Sequence, residues 1–232
     1  MPRIPRICIC LIYVLFKSFN KRYQPMNMQE MKNRISQLSE ENAEFYNNIN
    51  SQVFAHPELG NQEFWSSNFI AEQMRTRGFK VEYPYCNIPT AFRCEVGEGH
   101  PKVAFLAEYD ALPGYGPNKD QNAHACGHHF IAASCCAAAD VLAKLQAECG
   151  FTGTVCVIGA PAEESTGGKI DVVNAGGYDD IDAAFQVHLS TGTSEINTTT
   201  LAMHSVQFDF EGLSSHAAGA PWKGINALAA SY

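Results

Sequence analysis

Val103-Ala104-Phe105-Leu106-Ala107-Glu108-Tyr109-Asp110 is the stretch on which the fold turns. Five consecutive apolar residues read as a β-strand covered on both faces, and the strand runs straight into two acids. The pattern recurs twice. Residues 154–159 (TVCVIG) run into Ala160-Pro161-Ala162-Glu163-Glu164, and residues 182–187 run into His188. Further alternating segments at 79–83 and 92–96 add strands. Between the strands lie helical stretches: apolar residues recur at 28, 31, 35, 38, 45, 49 and 53, then come helices at 62–77, 130–147 and 169–175. Strands alternating with helices predict an α/β layered domain with a largely parallel sheet.

Working outward, the character changes near residue 200. Residues 203–210 alternate like a half-exposed antiparallel strand, a loop covers 212–224, and INALAASY (225–232) reads as a helical start. The expected organisation is a basic, apolar leader over 1–25, a catalytic domain over 26–200, and the beginning of a second, truncated domain over 201–232. The leader holds five bases and no acid. Its apolar run, Ile7–Phe16, is ten residues long, against about 20 for a membrane-spanning helix. It reads as upstream sequence before a start at Met26 or Met28, with an uncleaved anchor or signal as the alternative.

Composition narrows the function classes. The chain has 232 residues, 46% of them hydrophobic, and a formal net charge of -8. The hydrophobic share rules out disorder for most of it. The acidic balance argues against a nucleic-acid face. Nine cysteines, several in apolar runs, read as buried small hydrophobes in a reducing, cytoplasmic compartment. Neither nucleic acid nor membrane is an expected partner.

In open α/β sheets, sites form at the carboxyl ends of strands. Three strands here end in acids or His, and His124-Ala125-Cys126-Gly127-His128-His129 precedes the Ala-rich helix. Cys126 and His128 would face apart on a helix, but Gly127 permits a turn in which they converge. Thiolate with imidazole suits Zn and tolerates Mn. The competing reading is a capping turn with a buried cysteine. Of Glu163 and Glu164, one carboxylate can bind metal while the other serves as general base. Glu108 and Asp110 share a face and suit an acidic outer shell, with His129 a further candidate. H-E-x-x-H, G-x-S-x-G, P-loop, G-x-G-x-x-G and C-x-x-C motifs are absent.

With these residues in view, the chain resembles the family of acetylornithine deacetylase, succinyl-diaminopimelate desuccinylase, aminoacylase and carboxypeptidase G, and within it the amidohydrolase group. HPELGNQE (56–63), LAEYDALPG (106–114), HACGHH (124–129), GAPAEE (159–164), VHLS (187–190) and FEGLSSHAAGAPWKGINAL (210–228) carry the likeness in family order. The resemblance implies a three-layer α/β catalytic domain with an inserted α+β lid that also makes a homodimer. It implies two divalent metal ions, Zn or Mn, held by Cys126, His128, Glu164 and His188, with Glu163 as general acid/base. His216 would reach the substrate of the partner subunit, a dipeptide or N-acyl amino acid. The chain departs from the family pattern in three places. His129 stands where relatives carry Asp or Asn, Glu108 stands where distant members have a metal-binding His, and a last His ligand is not in this sequence. Two other readings compete: an inactive fragment of such an enzyme, and a cysteine-nucleophile hydrolase using Cys126.

Overall fold

A computed structural model of the chain describes residues 26–196, 201–202 and 206–231. The leader and residues 203–205 lie outside the described residues. The first helix, α1 (Met28–Glu41), opens with a capping box: the Asn27 side chain accepts from the N–H groups of Gln29 and Glu30, and Glu30 accepts from Asn27 N. The 28–53 periodicity predicts one continuous helix. The structure shows two, α1 and α2 (Ala43–Ala55), divided at Asn42. Asn42 falls where the apolar stripe lapses, and its amide donates to Leu38 O at 2.7 Å, competing with the helical ladder.

Helix α3 (Phe64–Thr76) leads into β1 (Lys80–Glu82), β2 (Phe92–Glu98) and β3 (Lys102–Ala107). A hairpin that the sequence pattern does not predict follows, β4 (Leu112–Tyr115) with β5 (Gln121–Ala123). Pro and Gly occupy the middle of β4, which hides it from any alternation test. Helix α4 (His128–Cys149), strand β6 (Gly153–Gly159), helix α5 (Gly168–Asn174) and strand β7 (Ala183–Phe185) complete the layer.

The main sheet has the order β1-β2-β6-β3-β7. Strands β3, β6 and β7 are parallel, β2 runs against β6, and β1 runs against β2, so four of five strands share one direction. Strand β6 is buried throughout. Val103, Phe105, Ala107, Val155 and Val157 pack under α1–α4, while Ala104, Cys156 and Ile158 meet Val172 of α5 on the other face. The result is the layered domain with a largely parallel sheet expected from the strand grammar, in the three layers that the family resemblance implies. Helix α4 is long and apolar enough to cross a membrane, yet 72% of its apolar window is buried in the protein, as befits a core helix. The seven cysteines among the described residues form no disulfide, and five of them are buried.

The chain divides into two compact units after Gly192. In the second, Leu213 and Ile225 exchange backbone hydrogen bonds at 3.0 and 2.9 Å, and 3-10 turns occupy Pro221–Lys223 and Ala227–Ser231. The strand expected over 203–210 is not formed at its described part: 206–210 is irregular and exposed. Alternation needs a neighbouring strand to become a ladder, and among the described residues none pairs with this segment. The expected helical start is likewise a 3-10 turn.

Candidate metal centre

Register brings the strand ends together. Ala107 pairs with Gly159 and Phe105 with Phe185, so Glu108, the 160–164 turn and residues 186–188 emerge along one rim. Glu108 is 1% exposed. Its Oε1 accepts from Lys169 Nζ and Gln186 Nε2. Its Oε2 has no partner and faces His128 Nε2 at 3.5 Å and His188 Nε2 at 3.9 Å.

Asp110 orients the opposite side. One of its oxygens accepts from His128 Nδ1 at 2.8 Å and the other from Glu164 N at 2.9 Å. The Nδ1–H bond fixes the tautomer and turns the Nε2 lone pair of His128 toward the cluster. That Nε2 is buried without a partner. Burial opposes ionisation of both groups. The bond between them, together with the Glu164 N–H on Asp110 and the carboxylates around His128, outweighs it, holding the Asp110 carboxyl below and the His128 imidazole above their ordinary ranges.

Gly127 caps α4 in the left-handed region at φ +83°, and a Cβ there would meet Leu189 Cδ1 at 2.2 Å. The left-handed backbone favours glycine, whereas Leu189, an exposed side chain, could move aside for a Cβ. The turn leaves Cys126 Sγ 3.7 Å from His188 Nε2, while His188 Nδ1–H donates to Leu189 O at 2.7 Å. His128 Nε2 lies 3.7 Å from Glu163 Oε2 and 3.8 Å from Glu164 Oε1.

Two overlapping groups have their ligand atoms within 4.8 Å of one another: Cys126, His128 and His188, and Glu108, His128 and Glu163. The donor set is thiol, imidazole and carboxylate, and two buried acceptor atoms point into it without partners. Unpaired buried polar atoms are costly, so this rim fits a divalent cation. Burial, then the neighbouring carboxylates, push the Cys126 thiol up to about 12. A thiol so raised is a poor nucleophile in a metal-free site. Burial and then Glu108 also raise the Glu163 carboxyl.

The sequence candidates distribute unevenly. Cys126, His128, His188, Glu108, Asp110, Glu163 and Glu164 converge. His129 does not join them: its ring lies on Phe54 and His124, and burial first, then those histidines, lower it to about 4. His216 is in the second unit, exposed, where its Nδ1 accepts from Gly219 N at 2.9 Å. Lys169 and Gln186 are additions that the sequence pattern does not announce. Nothing local marks Lys169, which reaches Glu108 across 61 residues.

A match to the profile of peptidase family M20/M25/M40 covers residues 104–228. The chain is 36% identical over 211 residues to a component of the p-aminobenzoyl-glutamate hydrolase of Escherichia coli (strain K12), covering 87% of this chain and 44% of that protein. It is 34% identical over 218 residues to the Xaa-Arg dipeptidase of Mus musculus, covering 87% and 48%. It thus spans just under half the length of both relatives. Among solved structures, a Bacillus subtilis dinuclear metal-binding peptidase of the M20 family superposes with a TM-score of 0.54 at 28% identity, covering 68% of this chain and 44% of that one. With the fold, the rim and these likenesses in agreement, the chain belongs to the M20/M25/M40 peptidase family.

Proposed function

We propose that the protein is a metal-dependent amidohydrolase that cleaves the amide bond of dipeptides or N-acyl amino acids with water. The observation that carries this reading is the pair of unpartnered buried atoms, His128 Nε2 and Glu108 Oε2, 3.5 Å apart at the meeting of four carboxylates. Cys126, His128, Glu164 and His188 would hold two divalent ions, Zn or Mn. Such ions supply Lewis acidity and lower the pKa of bound water from 15.7 to about 7. The relatives' names, a p-aminobenzoyl-glutamate hydrolase and a dipeptidase, support the substrate class.

The chain's own residues supply the proton traffic and the alignment. Asp110 holds His128 in one tautomer and the backbone of Glu164 in place. Glu163, its carboxyl raised by burial, takes the proton of the attacking water and returns it to the departing amine. In a homodimer, the partner subunit's His216 would donate to the oxyanion that forms on the scissile carbonyl. The second unit belongs to the lid and dimer surface, and the absence of disulfides among the described residues suits the cytoplasm.

Elemental analysis of the protein loaded with Zn or Mn, alongside Glu163→Ala, tests this. The variant is expected to keep its metal and lose about 10²- to 10⁴-fold in turnover. Retained turnover would sink the base assignment, and absence of metal uptake would sink the whole reading.

A further inference from the structure

The segment His56–Glu63 helps carry the family resemblance, yet none of its residues reaches the ligand cluster. Its contacts show what it does instead. Glu58 O accepts from Ala111 N at 2.8 Å, and Leu59 bridges to Ala111, so the segment is tied to the turn that follows Glu108 and Asp110. A Cβ on Gly60 would meet Ser165 Oγ at 2.3 Å and Ala162 Cα at 3.0 Å. Asn61 Nδ2 donates to Thr166 Oγ1 at 3.1 Å. Glu63, fully buried, accepts from Ala162 N at 2.6 Å across 99 residues, and its other oxygen accepts from Thr90 Oγ1 at 3.1 Å. Thr90 is itself anchored, its carbonyl accepting from the buried Tyr109 hydroxyl at 2.6 Å.

Ala162 is the point of strain in the turn that presents Glu163 and Glu164. Its φ is +56°, in the left-handed region that disfavours a Cβ-bearing residue. Its carbonyl accepts from Gly167 N at 2.8 Å and its N–H goes to Glu63, while two residues on Glu164 N goes to Asp110. The backbone on both sides of Glu163 is therefore pinned by a buried carboxylate from elsewhere in the chain. A carboxyl buried for packing alone would be poorly placed. Burial pushes that of Glu63 up to about 7, and an apolar residue of similar size would avoid the desolvation.

We propose that Glu58–Glu63 is a clamp joining the two acidic rim turns, with Glu63 the positioning residue that holds Ala162 left-handed and so sets where the Glu163 and Glu164 carboxylates stand. The proposal rests on the metal-centre reading for its consequence, but its geometry is independent of that reading. Holding an outer partner in place preserves the ligand geometry of a metal site, and losing such a partner weakens binding by about 10- to 100-fold.

Three variants of the whole chain test it: Glu63→Met, which keeps the volume but removes both acceptors; Glu63→Gln, which can still accept from Ala162 N and meet Thr90 Oγ1; and Glu63→Met with Ala162→Gly. Cobalt(II) titration, followed by thiolate absorption, reads metal affinity. Amide hydrogen exchange at Ala162 reads the clamp directly. Glu63→Met is expected to bind cobalt about 10- to 100-fold more weakly, with fast Ala162 exchange. Glu63→Gln should keep both readouts near wild type. Adding Ala162→Gly should recover part of the lost affinity, because glycine adopts the left-handed conformation without help.

Three outcomes would overturn the proposal: wild-type affinity in Glu63→Met, a Glu63→Gln variant as weak as Glu63→Met, or no recovery with Ala162→Gly. Should Glu63→Met fail to fold, Asn61→Gly, which removes an exposed bond and keeps the left-handed backbone of Asn61 (φ +64°), takes its place. It is then expected to weaken cobalt binding a few-fold, and an unchanged affinity would count against the clamp. Failure of wild type to take up cobalt would break the metal-centre reading instead, and Ala162 exchange in the same variants would still decide the clamp.

Discussion

Two clusters of ionised side chains flank the same sheet, and their charge accounts differ. On one, Arg93 forms a two-pronged pair with Asp180 at 2.9 and 2.8 Å and also reaches Glu95, Lys102 Nζ joins Asp180 at 2.7 Å, and Asp182 accepts from Lys102 N and faces His100. Its cations and carboxylates interlock. On the rim, four carboxylates converge with one ammonium among the described residues, Lys169, and His128 and Glu108 each keep a buried atom without a partner. A structural network neutralises itself. A cluster that the fold assembles yet leaves short of positive charge suits a cation.

The largest effect that would break this contrast concerns metal. At a free concentration 100 times its dissociation constant, Mn or Zn should stabilise the wild type by about 2.7 kcal/mol, read as a shift in thermal unfolding. His188→Ala, at a half-exposed proposed ligand, should show little shift at that concentration. An equal shift in the variant would mean that the rim is not the binding site. Next, Arg93→Met removes the two-pronged bond, leaves Asp180 to Lys102 alone, and should cost about 2 kcal/mol in urea unfolding, below the range for fully buried pairs because Asp180 is 43% exposed. The metal response should survive that change, and its loss would show that the two clusters are coupled.

The smallest effect lies in acid. The bond from Arg93 comes first among the causes that hold the Asp180 carboxyl below its ordinary value of 3.8. A carboxyl depressed in the folded state adds stability above the unfolded pKa and loses it as pH falls toward the folded one. Asp180→Asn should therefore flatten the stability profile below about pH 4, by no more than about 1 kcal/mol for so exposed a group. An unchanged acid limb would mean the balanced cluster contributes nothing to stability.

Much of the fold and of the rim is legible in the chain alone. Buried strands announce themselves as apolar runs, and the residues that follow each run supply the rim. Glu108, Glu163 with Glu164, and His188 stand out that way. Gly127 between Cys126 and His128 also speaks locally, since so tight a turn favours glycine. The hairpin at 112–123 does not, because Pro113 and Gly114 erase its alternation. Nor does Asn42, whose amide ends α1 by competing for Leu38 O. The pattern at 206–210 misleads, because alternation describes a strand only when another strand lies beside it.

The sequence by itself determined the strand grammar, the family and the inventory of chemical groups, because each follows from the order and spacing of near neighbours. Tertiary structure alone decided which groups meet. Lys169 and Gln186 on one oxygen of Glu108, Asp110 between His128 and Glu164, His129 turned onto Phe54, and Glu63 beneath Ala162 are contacts between residues distant in the chain. Their placement depends on how the strands register in the sheet, and local spacing carries no information about register between segments a hundred residues apart.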